Sequence, residues 1–125
     1  MCGIFAYLNF LTPKTRKEVV DILIQGLRRM EYRGYDSAGL AIDGSNDSLC
    51  PHNEVTLFRR CGKVDNLQQQ IDDCKSLDWD ISYNIHCGIA HTRWATHGSP
   101  QDVNAHPQRS NKENDFIVVH NGNHH

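Results

Sequence analysis

The stretch that most constrains this chain is Thr15-Arg16-Lys17-Glu18, together with the apolar pattern that follows it. A threonine three residues ahead of a glutamate closes a helix start reciprocally. The hydroxyl accepts one early N–H, and the carboxylate reaches back to the threonine N–H. Val19, Ile22, Leu23, Leu27 and Met30 then recur at helical spacing and form one apolar face. Gly34 after Arg33 offers a C-terminal stop. A helix with one apolar face must lay it on something, and the rest of the chain supplies short runs of strand formers. Gly3 to Leu8 reads as a strand buried on both faces, with Ala38–Ile42, Val55–Phe58, Cys87–His91 and Phe116–His120 as further strands. A weaker helix is expected over Val64 to Cys74, with Gln68, Gln69 and Gln70 on its outer side. Asp43 to Asn53 reads as a surface loop. Between His91 and Phe116 the chain holds Gly98, Pro100, Asn104 and Pro107 and little periodicity, as functional loops do. The class is mixed α+β.

With 125 residues the chain is long enough for one domain and too short for two. Its 13 basic and 15 acidic side chains leave a net charge of −2, and no lysine or arginine block occurs. Nucleic-acid binding and an anionic membrane surface therefore have no electrostatic footprint. No apolar run approaches the ~20 residues that span a bilayer. Nor does Met1-Cys2-Gly3-Ile4 resemble a secretory signal. A soluble, cytoplasmic protein is expected. The five cysteines agree, being odd in number and without a C-x-x-C pair. Cys87, His91, His97 and His106 match no structural zinc spacing, and no metal or other cofactor is expected.

Three places could carry chemistry. Once Met1 is removed, Cys2 holds a thiol and a free α-amine on one residue. The amine's ordinary pKa, near 7.7–8.0, suits a general base at neutral pH. The bland alternative is an accidental second-position cysteine. His91-Thr92-Arg93-Trp94-Ala95-Thr96-His97-Gly98 offers the Arg93 fork for a carboxylate, short polar groups in Thr96 and His97, and Trp94 to shut out water. Its alternative is a surface arginine, a half-buried tryptophan and a glycine turn. Asn121-Gly122 after a β-rich run is either a type I′ hairpin turn or a pair of donors aimed at an oxyanion.

Taken together, the words and their order resemble the glutaminase domain of the glutamine:fructose-6-phosphate amidotransferases. The matching stretches are Met1-Cys2-Gly3-Ile4-Phe5-Ala6-Tyr7, Glu31-Tyr32-Arg33-Gly34-Tyr35-Asp36-Ser37-Ala38-Gly39 and Gly88 to Gly98. Asn104-Ala105-His106-Pro107-Gln108 and Val119-His120-Asn121-Gly122 complete the set. The resemblance implies an N-terminal-nucleophile hydrolase fold, a four-layer αββα sandwich of which about the first half is present. It implies that Cys2 attacks the side-chain amide of L-glutamine, with its own α-amine as base. Asn121 and Gly122 would form the oxyanion hole, Arg93, Thr96 and His97 would bind glutamine, and Trp94 would help close the loop. Water would cleave the thioester, and the ammonia would serve glucosamine-6-phosphate formation in the hexosamine and UDP-N-acetylglucosamine pathway.

The same resemblance marks what is missing. Residues 1–125 correspond to a partial glutaminase domain, and the sugar-isomerase domains that bind fructose-6-phosphate are absent. A homo-oligomer is expected only of a full-length enzyme. The isolated chain is expected to be marginally stable, with little glutaminase activity. An enzyme fragment is one reading. A non-catalytic short product that binds or interferes with the full-length enzyme is the other.

Overall fold

The computed structural model describes residues 3–30, 37–42, 55–75, 77, 79–93, 105–110 and 117–119, with 83–86 described by backbone alone. The chain opens with strand β1 (Gly3–Thr15) and passes directly into helix α1 (Arg16–Arg29). The capping box forms as the sequence predicts: Glu18 N–H donates to Thr15 Oγ1 at 3.1 Å, and Thr15 N–H donates to Glu18 Oε1 at 3.2 Å. The N–H groups of Arg16 and Lys17 donate to the carbonyls of Ile81 and Trp79, at 2.8 and 3.0 Å. The N–H groups that open the helix and have no intrahelical partner are thereby satisfied, two of them by a segment distant in sequence. This ties the start of α1 to the chain just ahead of β4 (Ser82–Arg93).

Strands β2 (Ser37–Ile42) and β3 (Thr56–Cys61), helix α2 (Val64–Asp72) and the two-residue strands β5 (Gln108–Arg109) and β6 (Ile117–Val118) complete the elements. The four longer strands form one sheet in the order β1-β4-β2-β3, every neighbour antiparallel, and β5 pairs with β6. Residues opposite one another in such a ladder share a face. One row across the sheet is Phe5, Ala90, Leu40 and Phe58, and the next is Ile4, His91, Gly39 and Arg59. The first row faces the helices. Val19, Leu23 and Leu27 of α1 and Val64 and Leu67 of α2, all fully buried, meet Leu40 and Ile42 there. Each such aliphatic side chain contributes about 1.5–3 kcal/mol by leaving water, so this layer dominates the stability of the described part. Phe58 stacks on Trp79 with ring centroids 6.1 Å apart, and Trp79 Nε1–H donates to the Cys74 carbonyl at 3.1 Å.

The second row faces away from the helices and is only partly covered. Residues 105–107 lie over its middle, where His106 seats its carbonyl against the bare Cα of Gly39. β1 lies beyond this cover. Ile4 is 47% exposed and Leu8 and Phe10 are each 66% exposed. This corrects the reading of Gly3–Leu8 as buried on both faces: an apolar run reports strand formers, not how many sheet faces are covered. β1 also runs further than expected, to Thr15, because a register shift between Phe10 and Lys14 lets pairing resume past Pro13 at the sheet edge. In the shifted segment Leu11 takes a left-handed φ of 55°. α1 ends at Arg29, before Gly34, with Met30 N–H closing the last turn onto the Leu27 carbonyl at 3.0 Å. The aperiodic stretch after β4 contains β5. Among the described residues no helix is long and apolar enough to cross a membrane.

Candidate active site

The antiparallel register brings the start of β1 beside the end of β4. Gly3 is the Cα partner of Thr92, and Gly3 N–H donates to the Thr92 hydroxyl at 3.1 Å, both groups buried. The residue after Cys2 is therefore fixed one position before Arg93. Arg93 closes β4, is half-buried, and lies across from Ser37 of β2. Side chains alternate along a strand. Thr92 thus faces the helix layer, and Arg93 faces the opposite side with His91 and Ser37.

That opposite side is polar at this end of the sheet. His91 is fully buried, and its imidazole packs against that of His106 in a tilted arrangement, with centroids 4.4 Å apart at an interplanar angle of 30°. The glycine at 39 permits this arrangement. A Cβ there would strike the His106 carbonyl and would lie 2.8 Å from the Phe58 carbonyl. Gln108 Nε2–H donates to the Ala105 carbonyl at 2.6 Å and turns the segment into the β5–β6 ribbon.

Of the residues singled out from the sequence, Arg93 lies within the described part. Cys2, Trp94, Thr96, His97, Asn121 and Gly122 lie outside the described residues. Sequence reasoning gave no role to Thr92 and did not bring His91 and His106 together. The alternation of polar His91 and Arg93 with the apolar run before them was the available signal for a strand end with two chemically different faces. Cys61 and Cys74 are half-buried and Cys87 is exposed, and none of the three forms a disulfide among the described residues. Among the described residues no three histidine, cysteine, aspartate or glutamate side chains converge on a point that could hold a metal ion.

Comparison with known proteins relates the chain to a class of enzymes. No family model matches the chain. Individual relatives match nearly all of it, and they are aminotransferases, so the chain is homologous to enzymes of nitrogen transfer. More particularly, it is homologous to a stretch of the glutamine--fructose-6-phosphate aminotransferases. It is 55% identical over 124 residues to the isomerizing enzyme 1 of Rattus norvegicus, covering 98% of this chain and 18% of that protein. To the isomerizing enzyme of Saccharomyces cerevisiae it is 50% identical over 122 residues, covering 98% of this chain and 16% of that protein. A putative glutamine--fructose-6-phosphate aminotransferase of the same yeast is 47% identical over 122 residues, with 44% of its length covered. The chain thus spans less than a fifth of the length of the first two relatives.

Proposed function

We propose that this chain is the glutaminase portion of a glutamine:fructose-6-phosphate amidotransferase. The observation that carries this reading is 50–55% identity, along 98% of the chain, to aminotransferases named for glutamine and fructose-6-phosphate. The register of β1 on β4 supports it, because it seats the residue next to Cys2 beside Thr92 and Arg93. In the proposed reaction the Cys2 thiol passes its proton to the α-amine of the same residue as its sulfur adds to the side-chain carbonyl carbon of L-glutamine. The Asn121 amide and Gly122 N–H stabilise the resulting oxyanion; each such donor is worth roughly 3 kcal/mol in other hydrolases. The C–N bond then breaks, the α-amine returns the proton to the departing ammonia, and a thioester remains. Water hydrolyses the thioester to glutamate and regenerates the thiol. Arg93 holds the substrate α-carboxylate through a charge-assisted fork, with Thr96 and His97 completing that end and Trp94 covering it.

In the longer protein the ammonia would aminate fructose-6-phosphate in sugar-isomerase domains and feed the hexosamine pathway. The site would sit in the cytoplasm within a homo-oligomer. The fold would be the four-layer αββα sandwich. The exposed Ile4, Leu8 and Phe10 suit a sheet face awaiting a second sheet. That same row favours a second reading, a short product that associates with a full-length enzyme.

The test is glutamate release from L-glutamine by the purified 125-residue chain and by Cys2→Ala, each with Met1 removed. Turnover that vanishes in Cys2→Ala supports the glutaminase reading. Turnover that survives the substitution refutes the nucleophile. A chain that turns over nothing, yet co-purifies with and inhibits a full-length aminotransferase, supports the second reading.

A further inference from the structure

We propose that Thr92 is a positioning residue for the nucleophile, anchoring the peptide unit that joins Cys2 to Gly3. This deepens the glutaminase reading and rests on it for the role of Cys2.

In an antiparallel ladder a strand N–H ordinarily donates to a carbonyl of its neighbour. Gly3 N–H donates to a side chain of its neighbour, the Thr92 hydroxyl, at 3.1 Å, in a buried setting. Thr92 itself is 2% exposed. Its β-branched side chain has few χ1 choices, so the accepting oxygen is held stiffly. The donated N–H lies in the plane of the peptide bond between residues 2 and 3, and that plane contains the Cα of residue 2. The proposed nucleophile and its base, the thiol and the α-amine of Cys2, both hang from that Cα. One hydrogen bond therefore fixes the peptide plane to which that Cα belongs, leaving rotation about the Cα–C bond as the main freedom of the backbone that carries both groups. Gly3 is confined on a second side as well. A Cβ there would strike Met30 Sδ at the end of α1 and come within 2.8 Å of Thr92 Oγ1. The next residue of β4 is Arg93, the proposed carboxylate holder, so one strand end fixes both partners of the reaction.

Reacting groups must be held within about 0.5 Å, and misplacement by about 1 Å can cost on the order of a hundredfold in rate. Thr92→Val keeps the branched shape and removes the acceptor; Thr92→Ser keeps the acceptor. Two readouts apply, the kinetics of glutamate release and the pH profile of Cys2 alkylation by iodoacetamide, followed by peptide mapping. In Thr92→Val we expect kcat to fall at least about tenfold with KM for glutamine nearly unchanged, because orientation rather than substrate binding is lost. The alkylation profile shifts along the pH axis, and Thr92→Ser restores both. A Thr92→Val alkylation profile that superimposes on the parent overturns the inference whether or not the chain turns over glutamine. Surviving turnover in Cys2→Ala overturns the glutaminase reading instead. If Thr92→Val does not fold, hydrogen exchange of the Gly3 amide in the parent chain decides. A slowly exchanging amide supports the anchor, and one exchanging at the rate of an unprotected peptide refutes it.

Discussion

The ring of Phe5 packs against the bare backbone of Gly26, so that a Cβ on the glycine would meet Phe5 Cγ and Cδ1 at 2.5 Å. This contact joins strand β1, at the edge of the described sheet, to the C-terminal half of α1 and sets a contest between two effects. Alanine in a helix interior is favoured over glycine by about 1 kcal/mol. Overpacking a filled contact costs about 1–3 kcal/mol. The obstructing atoms include the root of the ring rather than its free end, so the clash wins. Gly26→Ala is expected to lower stability by about 1–2 kcal/mol in urea denaturation, against the helix-propensity trend.

Gly39→Ala is expected to be worse. Here the atoms in the way are main-chain carbonyls, His106 on one side and Phe58 on the other, and neither can swing aside. A loss of about 3 kcal/mol is expected, at the severe end for added methylenes. Because residues 105–107 must lift off the sheet, the His91 imidazole signal in an NMR spectrum should also move toward a solvent-exposed position.

The helix start carries a pH signature. Glu18 is held below the ordinary glutamate pKa, chiefly by the Thr15 backbone N–H; desolvation opposes this, and the Thr15 hydroxyl and the charge of Lys14 add smaller lowering effects. A depressed carboxylate supplies its stabilisation above the unfolded value and loses it as pH falls through the folded one. Glu18→Gln should therefore lower the melting temperature above pH ~4.5, where that stabilisation is present, and change it little in strong acid, so that the acid limb flattens. Thr15→Ala, which removes the cap itself, is expected to cost about 1 kcal/mol.

Asp21, one turn further along α1, titrates in the opposite sense. Burial raises its pKa, with Lys17 opposing and Asp72 reinforcing the rise. The ionised form is thus disfavoured in the folded state, and stability declines as pH rises from the ordinary aspartate value to the raised one. Asp21→Asn is expected to raise the melting temperature at neutral pH and to leave it unchanged in acid. A parallel shift of the whole profile would refute the assignment.

The exposed row on β1 predicts self-association. Ile4, Leu8 and Phe10 lie on one face of an edge strand, with neighbouring Leu11 67% exposed. Leu8→Lys should reduce the apparent mass in light scattering of the 125-residue chain. It should leave thermal stability within about 0.5 kcal/mol, since the site is on the surface.

What could be read in advance was what is local. The capping box and the apolar face of α1 are settled by residues within three or four positions of one another, and the structure reproduces them. The two faces of β1 were not legible, because one is covered by α1 through contacts such as Phe5 on Gly26, and the other stays open because residues 105–107 lie over Gly39 and not over β1. The extension of β4 back to Ser82 depends on pairing with Lys14 and Thr15 across a register shift that no period announces. At the candidate site, Arg93 could be chosen from the chemistry of its fork. Thr92 could not, since its partner is 89 residues away and is a backbone N–H. The contact of His91 with His106 was hidden for the same reason: neither residue carries a signal of the other.

The edge position of β1 has a consequence during synthesis. Of the described strands β1 leaves the ribosome before the others, yet its ladder partner among them is β4, the last of the long ones. At ~5–20 residues per second, translation of the intervening chain holds β1 without that partner for several seconds, on the order of 4–15 s. Throughout that interval an apolar strand waits, and the clamp of Gly3 on Thr92 is among the last long-range bonds that can form. The nascent chain is therefore most open to chaperone capture or wrong pairing before its proposed nucleophile is tied down. Slowing translation between Cys61 and Ser82 would lengthen that exposure without altering a single contact of the finished protein.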